Sequence, residues 1–226
     1  MNYRRLCIFD FETDGKDSAT CQPVQIAAMI LDPRTLKPKP GGKFNLNLKP
    51  EGIDNLNEYL TEEKESTIKW HADNYGCSKD EIIKKWQNSC DQKYGWQQFV
   101  EFVNKFNNHK KLWTAPIPCG INIKDFDLPI AQRLNNKYKV SNLFWLRDAI
   151  DIIPLCFMWF ENLDKDDIPS NFRMDTLRDY FGMSKTNAHD AMKDVEDEAL
   201  VIRKFMMLSR RFSDKVKFKN GLDAYV

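Results

Sequence analysis

The stretch "IFDFETDG", Ile8 to Gly15, sets Asp10, Glu12 and Asp14 on alternating positions and closes with a glycine. Acids so spaced resemble the start of an EF-hand calcium loop, which also needs a preceding helix and a bidentate Glu at the loop's last position. Counted from Asp10, that position is Cys21, and the residues before it, Leu6, Cys7, Ile8 and Phe9, are an apolar run of buried-strand type. The calcium loop fails on both counts. On a strand, side chains two apart point the same way, so Asp10 and Glu12 would share one small volume. Like charges that close raise each other's pKa and destabilise the fold unless something positive lies between them. The pattern calls for a hard divalent cation.

Two further acidic motifs lie downstream. In "CGINIKDFDLPI", Cys119 to Ile130, Asn122 is followed by Asp125 and Asp127 where a helix should begin. In "AHDAMKDVEDEA", Ala188 to Ala199, His189 stands five residues before Asp194 at the start of the last long helix. Each alone has an ordinary explanation: a solvated strand edge, acids complementing a helix dipole, a surface histidine. Chance is a poor account of four acids and a histidine in this order.

Together the motifs resemble those of the DEDDh 3′→5′ exonucleases, the group that includes polymerase proofreading subunits, RNase T and oligoribonuclease. Asp10-Phe11-Glu12 stands for the first motif, Asn122 with Asp127 for the second, and His189 with Asp194 for the third, spanning Phe9 to Ala199. The resemblance implies an α/β fold with a ribonuclease H-like mixed central sheet, an antiparallel meander followed by parallel strands, flanked by helices. It also implies two divalent ions and release of nucleoside 5′-monophosphates from 3′ ends; we expect single-stranded ends with DNA slightly ahead of RNA, the alternative being an RNA-trimming or short-oligonucleotide nuclease of the same fold. By analogy, Asp10 bridges both ions, Glu12 and Asp194 complete the water-bearing site, Asp127 serves the leaving-group site, and His189 is the general base. Asp127 comes five residues after Asn122, where many members have four, so Asp125 is a rival ligand. The Phe126-Asp127-Leu128 run favours Asp127.

The residue chemistry agrees. A phosphodiester repels hydroxide and expels a poor alkoxide, and paired cations offset both charges. Ligands that are all oxygen favour Mg²⁺ or Mn²⁺. Histidine titrates close to working pH, whereas a carboxylate in this cluster would rather bind metal. Five residues of helix turn through about 500°, so His189 and Asp194 diverge unless His189 precedes the helix, with Asp190 free to cap it. Candidate substrate contacts are Phe11, Thr13 and Asn122. Phe11 points to the face opposite the acids, which suits core packing as well. Thr13 and Asp14 carry turn N–H groups that could hold a terminal 3′ hydroxyl, and Trp70, His71, Trp86 and Trp96 could stack on bases. A different class of function is also open: a catalytically silent subunit that binds nucleic acid or a polymerase or other replication protein.

The elements that must position these groups are legible in part. Arg4 to Phe9, Val24 to Leu31 and Lys43 to Leu48 read as strands, with "PRTLKPKPGG" as the turn before the third. Asn55 to Asn74 is weakly helical, and "SKDE" at Ser78 offers a capping box for a helix to Asn88. Trp96, Phe99, Val100, Val103 and Phe106 form an amphipathic stripe. Leu112 to Ile117 reads as a strand, Leu128 to Asn135 as a helix, and Leu143 to Ile152 as a loop or short strand. Leu155 to Glu161, Met174 to Phe181 and Ala191 to Phe212 read as helices.

A chain of 226 residues with 42% apolar content can bury one core. We expect a single domain over 1–212, a family-specific helical insertion at 54–93 and a tail at 213–226. A net charge of +1 announces neither nucleic acid nor membrane, so any polyanion site must be local. The Lys and Arg residues from Arg203 to Lys219 could track phosphates, though a solvated helix face accounts for them too. No run is long enough to span a bilayer, and no signal peptide is visible at Met1 to Arg5. Six scattered cysteines without a Cys-x-x-Cys pair suit reduced thiols and a cytoplasmic location.

Overall fold

In a computed structural model, residues 4–161, 163–164, 167–186 and 190–216 are described. Strands β1 (Leu6–Thr13), β2 (Pro23–Leu31) and β3 (Pro38–Lys49) come first, then helices α1 (Leu56–Tyr59), α2 (Glu62–Tyr75) and α3 (Lys79–Gln87). The two-residue strand β4 (Cys90–Asp91) leads into α4 (Gln92–Lys105), then β5 (Ile117–Gly120), α5 (Asp127–Tyr138), β6 (Ile150–Asp151), α6 (Ile152–Phe160), α7 (Met174–Phe181) and α8 (Ala191–Val216). The sheet order is β4-β3-β2-β1-β5-β6. β1, β2 and β3 pair antiparallel, whereas β1 with β5, β5 with β6 and β3 with β4 pair parallel. The expected meander and parallel strands are therefore present.

Helices cover both faces of the sheet, as a centrally placed, doubly buried strand requires. Cys7, Phe9 and Phe11 of β1 point into a core with Trp96, Phe99 and Val103 of α4 and Leu128, Ile130 and Leu134 of α5. Leu6 and Ile8 point the other way, against Ile152 and Cys156 of α6, Leu177 of α7, and Val195 and Ile202 of α8. By the same alternation Asp10 and Glu12 continue the Leu6 and Ile8 row, on the face that α8 covers. At Gly95 of α4 an added Cβ would fall 2.2 Å from Leu48 Cδ2, so the glycine lets this helix lie close on β3.

Residues 54–93 form α1, α2, α3 and β4, with a small core of Ile53, Tyr59, Ile68, Ala72, Ile82 and Trp86 closed by Val24 of β2. The capping box at Ser78 forms: its hydroxyl accepts from Glu81 N–H at 3.2 Å, and its own N–H donates to Glu81 at 2.7 Å.

Three expectations need correction. Leu112–Thr114 is a turn of 3-10 helix, and the strand starts at Ile117, where it pairs with Leu6. β3 begins at Pro38, so half of the presumed turn is strand; the chain reverses at Asp32 to Lys37, with Leu36 at φ 57°. The supposed tail begins as helix, since α8 runs to Val216, and its last ten residues lie outside the described ones. Among the described residues no helix is long and apolar enough to cross a membrane. All six cysteines are free thiols.

Candidate active site

β5 ends level with Ile8, so the second half of β1 runs past it. The chain leaves β5 through Gly120, where a Cβ would meet Phe9 O and the Ile123 side chain at about 3.3 Å, so a larger residue would push its neighbours by a few tenths of an ångström. The crevice beyond the carboxyl ends of parallel strands is where open α/β sheets bind ligands. Asp10 and Glu12 project into it. Opposite Asp10 on β2 is Ala27, which leaves room, and opposite Glu12 is Gln25.

α5 and α8 supply the remaining acids from their first turns, where carboxylates are favoured by the helix dipole. Asp127, 3% exposed, is the first residue of α5, and its Oδ1 accepts from the Phe11 N–H at 3.0 Å. Asp125 is exposed. Of the two rivals in the second motif, Asp127 is the one that the fold turns inward beside Asp10. Asp194 opens α8, whose N-terminus is capped by Asp190 through the N–H groups of Met192 and Lys193. Carboxylate oxygens of Asp10, Glu12 and Asp194 lie within 4.8 Å of one another.

The electrostatics show a site short of positive charge. Burial first, and then the charges of Asp127, Glu198, Glu12 and Asp194, hold Asp10 well above the usual carboxylate range. Glu12 is raised by burial and then by Asp194, Asp190 and Asp127, with Lys85 opposing. Burial pushes Asp127 up to about 8 against the pull of the Phe11 N–H. An all-oxygen donor set of this charge fits Mg²⁺ or Mn²⁺.

Other assigned residues fall as follows. Phe11 packs in the core against Phe9 and Trp96, yet its ring also borders a cleft of ≈ 350 Å³ beside Glu12. Thr13, Trp70, His71 and Phe126 line the same cleft. The Thr13 hydroxyl donates to Gly15 O at 2.6 Å. The Asp14 N–H is spent on Gln22 O, and its carboxylate is buried under Tyr59, Lys64 and the Gln22 N–H, so Asp14 braces the hairpin and offers no N–H to a nucleotide. Asn122 is exposed at φ 53°, and its N–H donates to Asp151. Trp86 and Trp96 are core; Trp70, 43% exposed, is the tryptophan of the four-residue stacking set that reaches the cleft. His189 lies outside the described residues.

Three groups lie outside the matched motif positions. Arg178 of α7 is fully buried and donates to Asp194, to Asp197 at 2.8 Å and to Asp175 at 2.8 Å. Glu198 lies one turn after Asp194 and is 1% exposed. Tyr75 of α2 is close enough to Glu12, Asp190, Asp194 and Asp10 for their charges to act on its phenol, which burial keeps protonated. The i+4 spacing of Asp194 and Glu198 was the one readable hint.

No protein-family model matches the chain, and no curated protein does. Solved structures do. E. coli exonuclease I in complex with a dT13 oligonucleotide superposes with a TM-score of 0.68 at 17% identity, over 95% of this chain and 43% of that one. The fold is that of the matched part of exonuclease I. A zinc-bound form of the same enzyme with single-stranded DNA gives 0.64 at 18% identity, over 99% and 46%. Cell-death related nuclease 4, CRN-4, gives 0.64 at 17% identity, over 92% and 65%. The ribonuclease H-like architecture expected from the motifs is thereby shown. The chain spans less than half the length of exonuclease I.

Proposed function

We propose that this chain is a DEDDh-type 3′→5′ exonuclease that hydrolyses single-stranded 3′ ends to nucleoside 5′-monophosphates with the help of two divalent cations. The observation that carries the reading is the convergence of Asp10, Glu12 and Asp194 within 4.8 Å at the open end of the central strand, in a fold shared with exonuclease I.

Asp10, Glu12 and Asp194 would hold one cation, and Asp10 with Asp127 the other. Such cations lower the pKa of an attacking water and neutralise the leaving 3′ oxygen. The chain's own tasks are then three. Phe11 N–H and Arg178 hold Asp127 and Asp194 in place, so that the carboxylates do not have to reorganise when charge develops. The cleft beside Glu12 receives the terminal nucleotide, with Trp70 and Phe126 offering apolar faces to its base. His189, which precedes α8 in the sequence, takes the proton from the attacking water.

Complexes of exonuclease I with dT13 and dA16 oligonucleotides support DNA as the substrate. Free cysteines at all six positions suit a reducing compartment such as the cytoplasm. The test is cleavage of 3′-labelled and 5′-labelled DNA and RNA oligonucleotides with Mg²⁺ or with EDTA. Mononucleotides released from 3′ ends only when Mg²⁺ is present are expected. Cleavage unaffected by EDTA would rule out the cation mechanism, faster loss of RNA would make the chain an RNA-trimming enzyme, and binding without cleavage would make it a silent subunit.

A further inference from the structure

The four acids of the motifs do not account for the whole buried charge of the site. α8 turns through 3.6 residues, so Glu198 shares the inward face of Asp194 one turn further along. Its side chain is 1% exposed. Oε1 accepts from the Ile121 N–H at 3.0 Å, in the loop between β5 and α5 that leads to Asp127. Oε2 is buried with no hydrogen-bond partner among the described residues. A buried carboxylate oxygen left unpaired is unfavourable unless something compensates it.

We propose that Glu198 is a fifth carboxylate of the cation centre, on the side of Asp10 and Asp127, and lets the second divalent cation bind before any nucleic acid arrives. This rests on the two-cation reading above. The placement comes from the latch to Ile121, which ties Glu198 to the loop that leads to Asp127. Mutual repulsion of Glu198 with Asp127 and Asp194, and with Asp10, fits the same position. Without Glu198 the second site would have only Asp10 and Asp127 from the protein and would depend on substrate phosphate to fill. With it, a third carboxylate would be available there. Asp10 is common to both sites.

A purely structural Glu198 would serve as a latch alone, and one substitution separates the cases. Glu198→Gln keeps an oxygen for the Ile121 N–H and removes the charge. Mn²⁺ is titrated into the full chain without nucleic acid, with free ion followed by electron paramagnetic resonance. Wild type should take up two ions, and E198Q should keep one and bind the other about 10–100-fold more weakly. Glu198→Ala should show the same loss together with a lower melting temperature, because it also cuts the latch. Two sites of unchanged affinity in E198Q would overturn the inference and leave the nuclease reading standing. A wild type with one site would do likewise. No Mn²⁺ uptake by wild type would bring down both.

Discussion

Replacing Asp127 with Asn should make the cation-free protein more stable, although it removes a residue that the active site needs. Asp127 is 3% exposed, and burial raises its carboxyl from 3.8 to about 8. A raised carboxyl binds its proton more tightly folded than unfolded. Its contribution is therefore fully present below about pH 4 and is lost as pH rises toward 8. At roughly 1.4 kcal/mol per pH unit, ionisable Asp127 costs ~4 kcal/mol at pH 7 relative to a neutral side chain. Relaxation and water entry around the buried carboxyl return part of this. The Asn oxygen can still accept from the Phe11 N–H, so little hydrogen bonding is lost. We expect a net gain of ~1–3 kcal/mol at pH 7, seen as a rise of ~2–10 °C in Tm for a chain of this size. The assay is thermal unfolding in EDTA from pH 4 to 9 for wild type and D127N. The curves should meet near pH 4 and separate above it, and saturating Mn²⁺ should reverse the order by stabilising wild type more. A mutant less stable than wild type at pH 7 in EDTA, or equally stabilised at pH 4, would refute the electrostatic account.

Three further outcomes are expected. Asp127→Asn should cost orders of magnitude in single-turnover nuclease rate and Asp125→Asn little, because only the first is buried beside Asp10; the reverse order would reassign the second motif. Arg178→Met strips the guanidinium from Asp194 and from Asp197, which is 1% exposed, so urea unfolding should show a loss of ~3–5 kcal/mol, less in Arg178→Lys; a neutral result would mean that Lys193 alone suffices for Asp197. His189→Gln should keep Mn²⁺ binding yet lose ~10²–10⁴-fold in rate, together with the rise in activity near the imidazole pKa; an unchanged pH–rate profile would remove His189 from the mechanism.

Part of this architecture could be read from local pattern. Asp10 and Glu12 were legible because a strand's period of two is short and Leu6 to Phe9 is unmistakably apolar; the face they share followed directly. α4 was legible from its aromatic stripe and α3 from its capping box. The misplaced strand shows the limit. Leu112 and Trp113 look strand-like, but Thr114 and Lys111 close a tight turn through their own hydrogen bonds, and ladder pairing with β1 starts only at Ile117. On paper only the Phe126-Asp127-Leu128 run separates Asp127 from Asp125; what buries one and exposes the other is which way the start of α5 faces. Arg178 looks like an ordinary i,i+3 partner of Asp175; its burial against Asp194 depends on how α7 meets α8, a contact 16 residues apart that no short window contains.

The segment hardest to read also builds one wall of the cleft. Residues 62–75 have little amphipathic pattern, yet α2 presents Trp70 and His71 to the space beside Glu12. Buried polar links hold the helix there: His71 Nε2 lies 3.0 Å from Thr13 O at the end of β1, and Tyr59 donates to Asp14 at 2.6 Å. Each joins the helices of 54–93 to one of the two residues that follow Glu12. On the exonuclease reading, these links keep the distance between the acids and the base-contacting wall constant, which is what positioning a terminal phosphodiester demands. On the same reading the acids set what chemistry can occur, and α1 to α3, tied to β1 by two such bonds, would set which end can reach them.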